Sequence, residues 1–394
     1  MPSTFPQPAL VANHLGAWIR SADGQTQPVT RGAAVRAAAD APHLLLGAPV
    51  TASRLGYPEL GGFDLLELFA FVHPARFTVP TAYGLAATLG LAAPADGAEE
   101  AAFLQVAAAH LLGVLDAPDW AERHGAYALA QALARHNWNW APEILRRLKP
   151  PSRPERSLFT KLEKWEETPP RPRPADVALG NGAIDATLDR LLGIGAERRD
   201  GQRGYAHAAG FAFRPRQMAN APNVVLAEAG TGIGKTLGYL APASLWAQQA
   251  QGTVWLSTYT KALQRQLDHE TERAYPDPVA KRSKVVVRKG RENYLCLLNL
   301  EDAVQGGFAG RAAVFALLAA RWAEYSRDGD MVGGDLPGWL GPLFPRNAAR
   351  ALTDQRGECI YAGCPHYRTC FIEKATRASV GADLVIANHA LVMV

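Results

Sequence analysis

Val224-Val-Leu-Ala-Glu-Ala-Gly-Thr-Gly-Ile-Gly-Lys-Thr236 is the stretch that decides the fold of the second half of this 394-residue chain. Val224 to Ala227 has the length and composition of a short buried strand, and Lys235 to Ala247 the pattern of a helix. Between them lies a loop almost free of bulk. Small residues let backbone N–H groups turn inward and approach an anion closely, while the following helix points its positive end at the same place. Lys235 is placed to reach the outer phosphates of a nucleotide, and Thr236 to offer its hydroxyl to a magnesium ion bridging them. The strict pattern is broken only at Ala229, which stands where it has glycine. Ala229, Gly230, Thr231, Gly232, Ile233, Gly234, Lys235 and Thr236 are thus the expected binding residues for ATP and Mg2+, with Lys235 and Thr236 the catalytic pair.

Working outward, strands and helices alternate. Thr253-Val-Trp-Leu-Ser257 and Lys284-Val-Val-Val-Arg288 read as strands and Thr260 to Arg273 as a helix, which predicts an α/β domain with a parallel sheet. Upstream, Lys149-Pro-Pro-Ser-Arg-Pro-Glu-Arg156 and Thr168-Pro-Pro-Arg-Pro-Arg-Pro174 resist helix and sheet and predict a linker over 149–176. Residues 1–148 are rich in Ala and Leu, with helical spacing over Ala101 to Leu115 and Ala126 to Ala134, and predict a separate α/β or α-rich domain. The length suits two or three domains. No apolar run reaches the roughly 20 residues of a membrane helix, and the N-terminus lacks a secretory pattern, so the expected compartment is the cytoplasm. A net charge of +4 permits contact with polyanions without requiring it.

All four cysteines, Cys296, Cys359, Cys364 and Cys370, fall downstream of the phosphate loop, with 62, four and five residues between them. Zinc sites usually draw ligands in two tight pairs; Cys359 and Cys364 make one, whereas Cys296 and Cys370 make no second. A soft four-thiolate set of irregular spacing suits an iron-sulfur cube, one thiolate per iron. Buried structural thiols are the plain alternative. His366, between two of the cysteines, is read as a bystander.

These blocks together resemble the XPD/DinG-type iron-sulfur helicases of superfamily two over roughly residues 200 to 394. The resemblance is carried by Phe213-Arg-Pro-Arg-Gln217, Glu228 to Thr236, Ser257-Thr-Tyr-Thr-Lys-Ala-Leu-Gln264, Lys289-Gly-Arg-Glu-Asn-Tyr-Leu-Cys296, the cysteine triplet and Ala382-Asp-Leu-Val-Ile-Ala-Asn-His389. It implies a RecA-like motor over 177–288 and 380–394, interrupted by a helical 4Fe-4S domain over 289–379. It further implies ATP-driven movement in the 5′ to 3′ direction along single-stranded DNA, with forked or displaced DNA as substrate. Gln217 takes the place of the glutamine that reads adenine. Ser257, Thr258 and Thr260 resemble the motif that holds the strand backbone, although Thr260 equally suits an ordinary helix cap. Lys289, Arg291 and Tyr294 combine two cations and an aromatic ring, as a sequence-tolerant strand channel does.

The resemblance places an acidic magnesium-holding motif just beyond Val394 and a second motor domain after it. The expectation is the N-terminal portion of a longer helicase, inactive in hydrolysis by itself. In front, Phe63-Asp-Leu-Leu-Glu-Leu68 and the residues after it resemble the middle of a DnaQ-like exonuclease. The leading Asp-x-Glu of such nucleases is missing, and Leu46-Gly-Ala-Pro49 replaces a Gly-His-Asn turn, so catalysis is expected to be lost. Asp64 and Glu67 are expected to be surface or capping residues. Two other readings stay open: a P-loop ATPase of another class with structural zinc, and a noncatalytic, redox-sensing nucleic-acid scaffold.

Overall fold

The computed structural model describes residues 4–152, 159–167, 169–218, 220–355 and 357–393. It divides into two compact units, one of Met1–Lys164 with Arg291–Phe371 and one of Trp165–Gly290 with Ile372–Val394.

The first unit is built on a five-stranded mixed sheet. β1 (Ala9–Ala12), β2 (Ala17–Arg20) and β3 (Thr26–Val29) form an antiparallel meander, with Ala9 opposite Arg20 and Ala12 opposite Ala17. β4 (His43–Leu45) runs parallel to β1, and β5 (Gly62–Asp64) parallel to β4, giving the order β3-β2-β1-β4-β5. The central strand β1 is buried throughout and apolar, Ala-Leu-Val-Ala, so it carries no carboxylate. The two predicted helices are present as Gly97–Val114, capped by Asp96 on the N–H groups of Ala98 and Glu99, and Ala126–Arg135.

Every residue of the helix Leu65–Val72 is buried, as is each from Ala313 to Ala323 in the helix Gly310–Ala323. Stretches of helix buried on every side belong inside a core. Phe69, Leu112 and Trp140 share that core with Phe315, Leu318 and Trp322. The cysteine-bearing segment is thus packed with the N-terminal residues, where the sequence reading set a boundary. The physical reason is visible in Arg321, fully buried, which donates to the carbonyls of Phe71, His124 and Glu122. Its guanidinium also faces the rings of Phe71, Trp120 and Tyr325 at 5.1 to 5.2 Å.

Asp64 and Glu67 are not surface residues. Asp64 does cap the helix Leu65–Val72, accepting from the Leu66 N–H at 2.9 Å, but it also accepts from Gly47 and Ala48 at 3.2 and 2.6 Å. It is 1% exposed, and burial, reinforced by the nearby charge of Glu67, raises its pKa to about 7. Glu67 is clasped by both terminal nitrogens of Arg311 and by the Trp138 indole N–H at 2.7 Å. The local pattern could not show this, because those partners lie far away in sequence.

The second unit carries a parallel sheet: β6 (Val254–Thr258), β7 (Val285–Val287) and β8 (Leu384–Asn388) in the order β6-β8-β7. β8 lies between the other two with Leu384 to Ala387 buried, as a strand covered on both faces must be. The helices Asn181–Leu192, Asp200–Gly210, Lys235–Ala250 and Lys261–Ala274 surround it.

Two expectations change here. Val224 to Ala227 joins no strand; Val224 is 76% and Leu226 96% exposed. A short apolar run becomes a strand only where a neighbour supplies a ladder, and β6, β8 and β7 pair among themselves. The end of the proline-rich stretch is also no free linker. Arg171 donates to the Asp383 carboxylate at 2.8 Å and the Ala382 carbonyl at 2.6 Å, and the Ala175 N–H donates to the Ala250 carbonyl at 2.9 Å. Among the described residues no helix is long and apolar enough to cross a membrane.

Candidate functional site

The phosphate loop meets its helix at Gly234, whose φ of +84° only glycine adopts readily; Gly232 has a φ of +82°. A Cβ at Gly234 would run into the side-chain amide of Gln202. That amide donates to the Gly234 carbonyl at 2.8 Å, and the guanidinium of Arg199 donates to the Gly232 carbonyl at 2.8 Å. Two loop carbonyls are thereby drawn toward the start of the helix Asp200–Gly210. Because a trans peptide points its C=O and N–H in opposite directions, the N–H groups of Ile233 and Lys235 are aimed away from that helix. Ala229, Gly230 and Thr231 complete the loop without regular structure. The Lys235 ammonium is folded onto it, donating to the carbonyls of Ala229 at 3.0 Å and Gly230 at 2.8 Å. Thr236 and Tyr239 line one cavity, and burial pushes the Tyr239 phenol above its ordinary pKa.

Gln217 lies exposed in a bend, whereas Gln202 is 3% exposed and touches the loop. Arg199 and Gln202 are residues that sequence reasoning missed. Their one signal was position, at a helix start ahead of the loop, and polar residues there look like any solvated turn.

The strand-contact candidates sit at the C-terminal ends of the parallel strands, where open α/β sheets bind ligands. Ser257 Oγ lies 2.6 Å from Nδ1 of His389, and the Thr258 hydroxyl donates to the Thr260 carbonyl at 3.3 Å. Thr260 caps the helix Lys261–Ala274, accepting from the Leu263 N–H at 3.1 Å, which is the ordinary cap role. A cavity of about 290 Å³ is lined by Thr236, Tyr239, Ser257, Thr258, Gln266 and His389 among others, and so joins this motif to the phosphate loop. Beside it a cavity of about 350 Å³ is lined by Phe213, Val225, Trp255 and Tyr239 among others.

Of the three residues named around the first cysteine, Lys289 is 6% and Tyr294 3% exposed, so both side chains are buried in this structure. Arg291 pairs with Asp354 at 2.5 Å and stands over the Tyr361 ring at 5.1 Å.

The four cysteines lie in one unit, each partly exposed. Cys296 precedes the helix Leu297–Asp302, and burial pushes its thiol pKa up, with Asp354 and Cys364 acting in the same direction. Cys364 and Cys370 each follow a single 3-10 turn, Tyr361–Gly363 and Tyr367–Thr369, and Cys359 Sγ accepts from the Tyr361 N–H at 3.3 Å. His366 is engaged by Glu301 at 2.8 Å. Among the described residues no three His, Cys, Asp or Glu side chains converge as the ligands of one metal ion would. A four-iron cube takes one thiolate per iron, so its ligands need not meet at one point, and four cysteine sulfurs are donors of the right type for it.

No protein-family model matches the chain. It is 33% identical over 192 residues to the ATP-dependent DNA helicase YoaA of Haemophilus influenzae, an overlap of 45% of this chain and 29% of that protein. It is 34% identical over 237 residues to the ATP-dependent helicase DinG of Mycobacterium tuberculosis, covering 54% and 34%. With the protein named 3′-5′ exonuclease DinG of Bacillus subtilis it shares 32% identity over 206 residues, covering 50% and 20%. The chain spans about a third or less of the length of these curated relatives.

Proposed function

We propose that this chain, related over about half its length to the DinG and YoaA helicases, supplies the ATP-binding and cluster-bearing part of an ATP-dependent DNA helicase moving 5′ to 3′ on single-stranded DNA. The observation that carries the reading is the phosphate loop itself, with Gly232 and Gly234 in the conformation such a loop needs and Arg199 and Gln202 holding its carbonyls. The phosphates of ATP take the place that the Ala229 and Gly230 carbonyls hold against Lys235. The N–H groups of Ile233 and Lys235, at the positive end of the helix Lys235–Ala250, stabilise the same charge. Mg2+, held in part by the Thr236 hydroxyl, would neutralise charge on the transferred phosphate. Gln202 acts on the nucleotide only through the loop carbonyl it holds, whereas the adenine-reading role belongs to the exposed Gln217.

Cys296, Cys359, Cys364 and Cys370 would hold a 4Fe-4S cluster, which when bound staples the long segment between the first two ligands into a fixed shape. Lacking the leading Asp-x-Glu on β1, the N-terminal domain is proposed to be an exonuclease relative without nuclease activity.

The test is anaerobic purification with iron, sulfide and zinc analysis, followed by ATP titration. About four irons per chain, absorption near roughly 400 nm and loss of iron in Cys296→Ser are expected. Lys235→Ala should keep the iron and weaken ATP binding about ten- to a hundredfold, the worth of a charged hydrogen bond to phosphate. A colourless protein holding stoichiometric zinc would overturn the cluster, and ATP binding unmoved by Lys235→Ala would overturn the motor.

A further inference from the structure

We propose that His389 is a positioning residue for strand binding: it orients the Ser257 hydroxyl so that its proton is donated to a phosphate oxygen of single-stranded DNA. The proposal rests on the helicase reading above. Ser257 and His389 leave neighbouring parallel strands, with Ser257 in register with Ala387 and Thr258 with Asn388. Asn388 fixes the backbone that follows, its side-chain oxygen accepting from the Leu391 N–H at 2.9 Å. This seats Nδ1 of His389 2.6 Å from Ser257 Oγ, with both residues on the wall of the 290 Å³ cavity. The other polar side chains on that wall are hydroxyls and the Gln266 amide, and no carboxylate is among them. Hydroxyl and amide donors are the usual partners of the phosphate backbone. Tyr259, 81% exposed, lies on the same wall with its ring 6.2 Å from that of His389, placed to stack a base.

A serine hydroxyl has one proton to give. Donated to Nδ1, it leaves only oxygen lone pairs facing the cavity, which oppose a phosphate. With the imidazole proton on Nδ1, His389 donates to Ser257 Oγ and the hydroxyl proton is released toward the phosphate, each hydrogen bond polarising the next. A bound phosphate selects the second arrangement. Because the wall also includes Thr236, strand contact and nucleotide contact share one cavity.

The test is binding of a fluorescent single-stranded oligonucleotide and, separately, of ATP by the full chain, with folding checked by circular dichroism. His389→Ala should weaken oligonucleotide binding about five- to tenfold, the worth of one oriented hydrogen bond, and lower ATP affinity less. His389→Asn, whose amide supplies a donor near the Nδ1 position, should restore most of the loss. The double variant with Ser257→Ala should bind no more weakly than Ser257→Ala alone. Unchanged oligonucleotide binding in His389→Ala, failure of His389→Asn to rescue, or additive losses would overturn the proposal and leave the helicase reading intact. A parent chain that binds ATP but no oligonucleotide would overturn both.

Discussion

Replacing Gln202 by alanine separates the glutamine in contact with the loop from the one at the family position. Gln202→Ala removes one neutral hydrogen bond of 2.8 Å to the Gly234 carbonyl. Such a bond contributes about 0.5–1.5 kcal/mol net. Gly234 is exposed, so water can reach its freed carbonyl, and the larger penalty for a buried unpaired acceptor does not apply. If that free energy is what keeps the loop arranged for phosphate, ATP affinity falls roughly two- to tenfold, since 1.4 kcal/mol is a factor of ten. Gln217, exposed in its bend, has the adenine-reading role, so Gln217→Ala should weaken ATP and adenosine alike. The assay is titration of both variants with ATP and with adenosine. Gln202→Ala should weaken ATP and spare adenosine, because what it loosens is the phosphate loop. A loss of adenosine affinity in Gln202→Ala as large as its loss of ATP affinity would refute this reasoning.

Gly234→Ala should weaken ATP binding more than about tenfold. An L-residue held at positive φ costs about 1–2 kcal/mol, and the new Cβ runs into Gln202, so adding Gln202→Ala should recover part of the loss in the same titration. Arg321→Met leaves three main-chain carbonyls without their donor, at roughly 1 kcal/mol or more each, so the unfolding free energy from urea denaturation should fall by at least about 3 kcal/mol, seen as a lower midpoint at unchanged slope. Asp64 should make stability fall as pH rises. Its folded pKa of about 7 lies above the ordinary 3.8, so between those values the unfolded chain has released a proton that the folded chain still holds. Asp328, raised likewise to about 7 by burial and by Asp335, adds the same sign, so denaturation of Asp64→Asn from pH 4 to 8 should show a shallower decline rather than none.

Some of this protein was legible residue by residue. The glycines of the phosphate loop, the helix that follows it, the strands at Val254 and Val285 and the helices near Ala101 and Ala126 depend on local conformation and periodicity, which neighbours in sequence carry. The cap role of Thr260 belongs with them, since a cap needs only the next turn of its own helix. Sequence by itself also determined the class of the second unit and its kinship with DinG-type helicases.

Tertiary structure decided what depends on distant partners. Val224 to Ala227 has a strand's composition but no ladder to join, and Arg171 turns the end of a proline-rich stretch into an anchor on Asp383. Tyr294 reads as a stacking ring until burial makes it core. Asp64 and Glu67 read as surface until Gly47, Trp138 and Arg311 close around them. Gln202 and Arg199 became functional candidates only because the fold sets them against loop carbonyls, and His389 because β8 ends beside β6. Conformational preference is a property of a few consecutive residues, whereas burial, charge pairing and hydrogen-bond partnership are properties of contacts that the chain acquires only when it is folded.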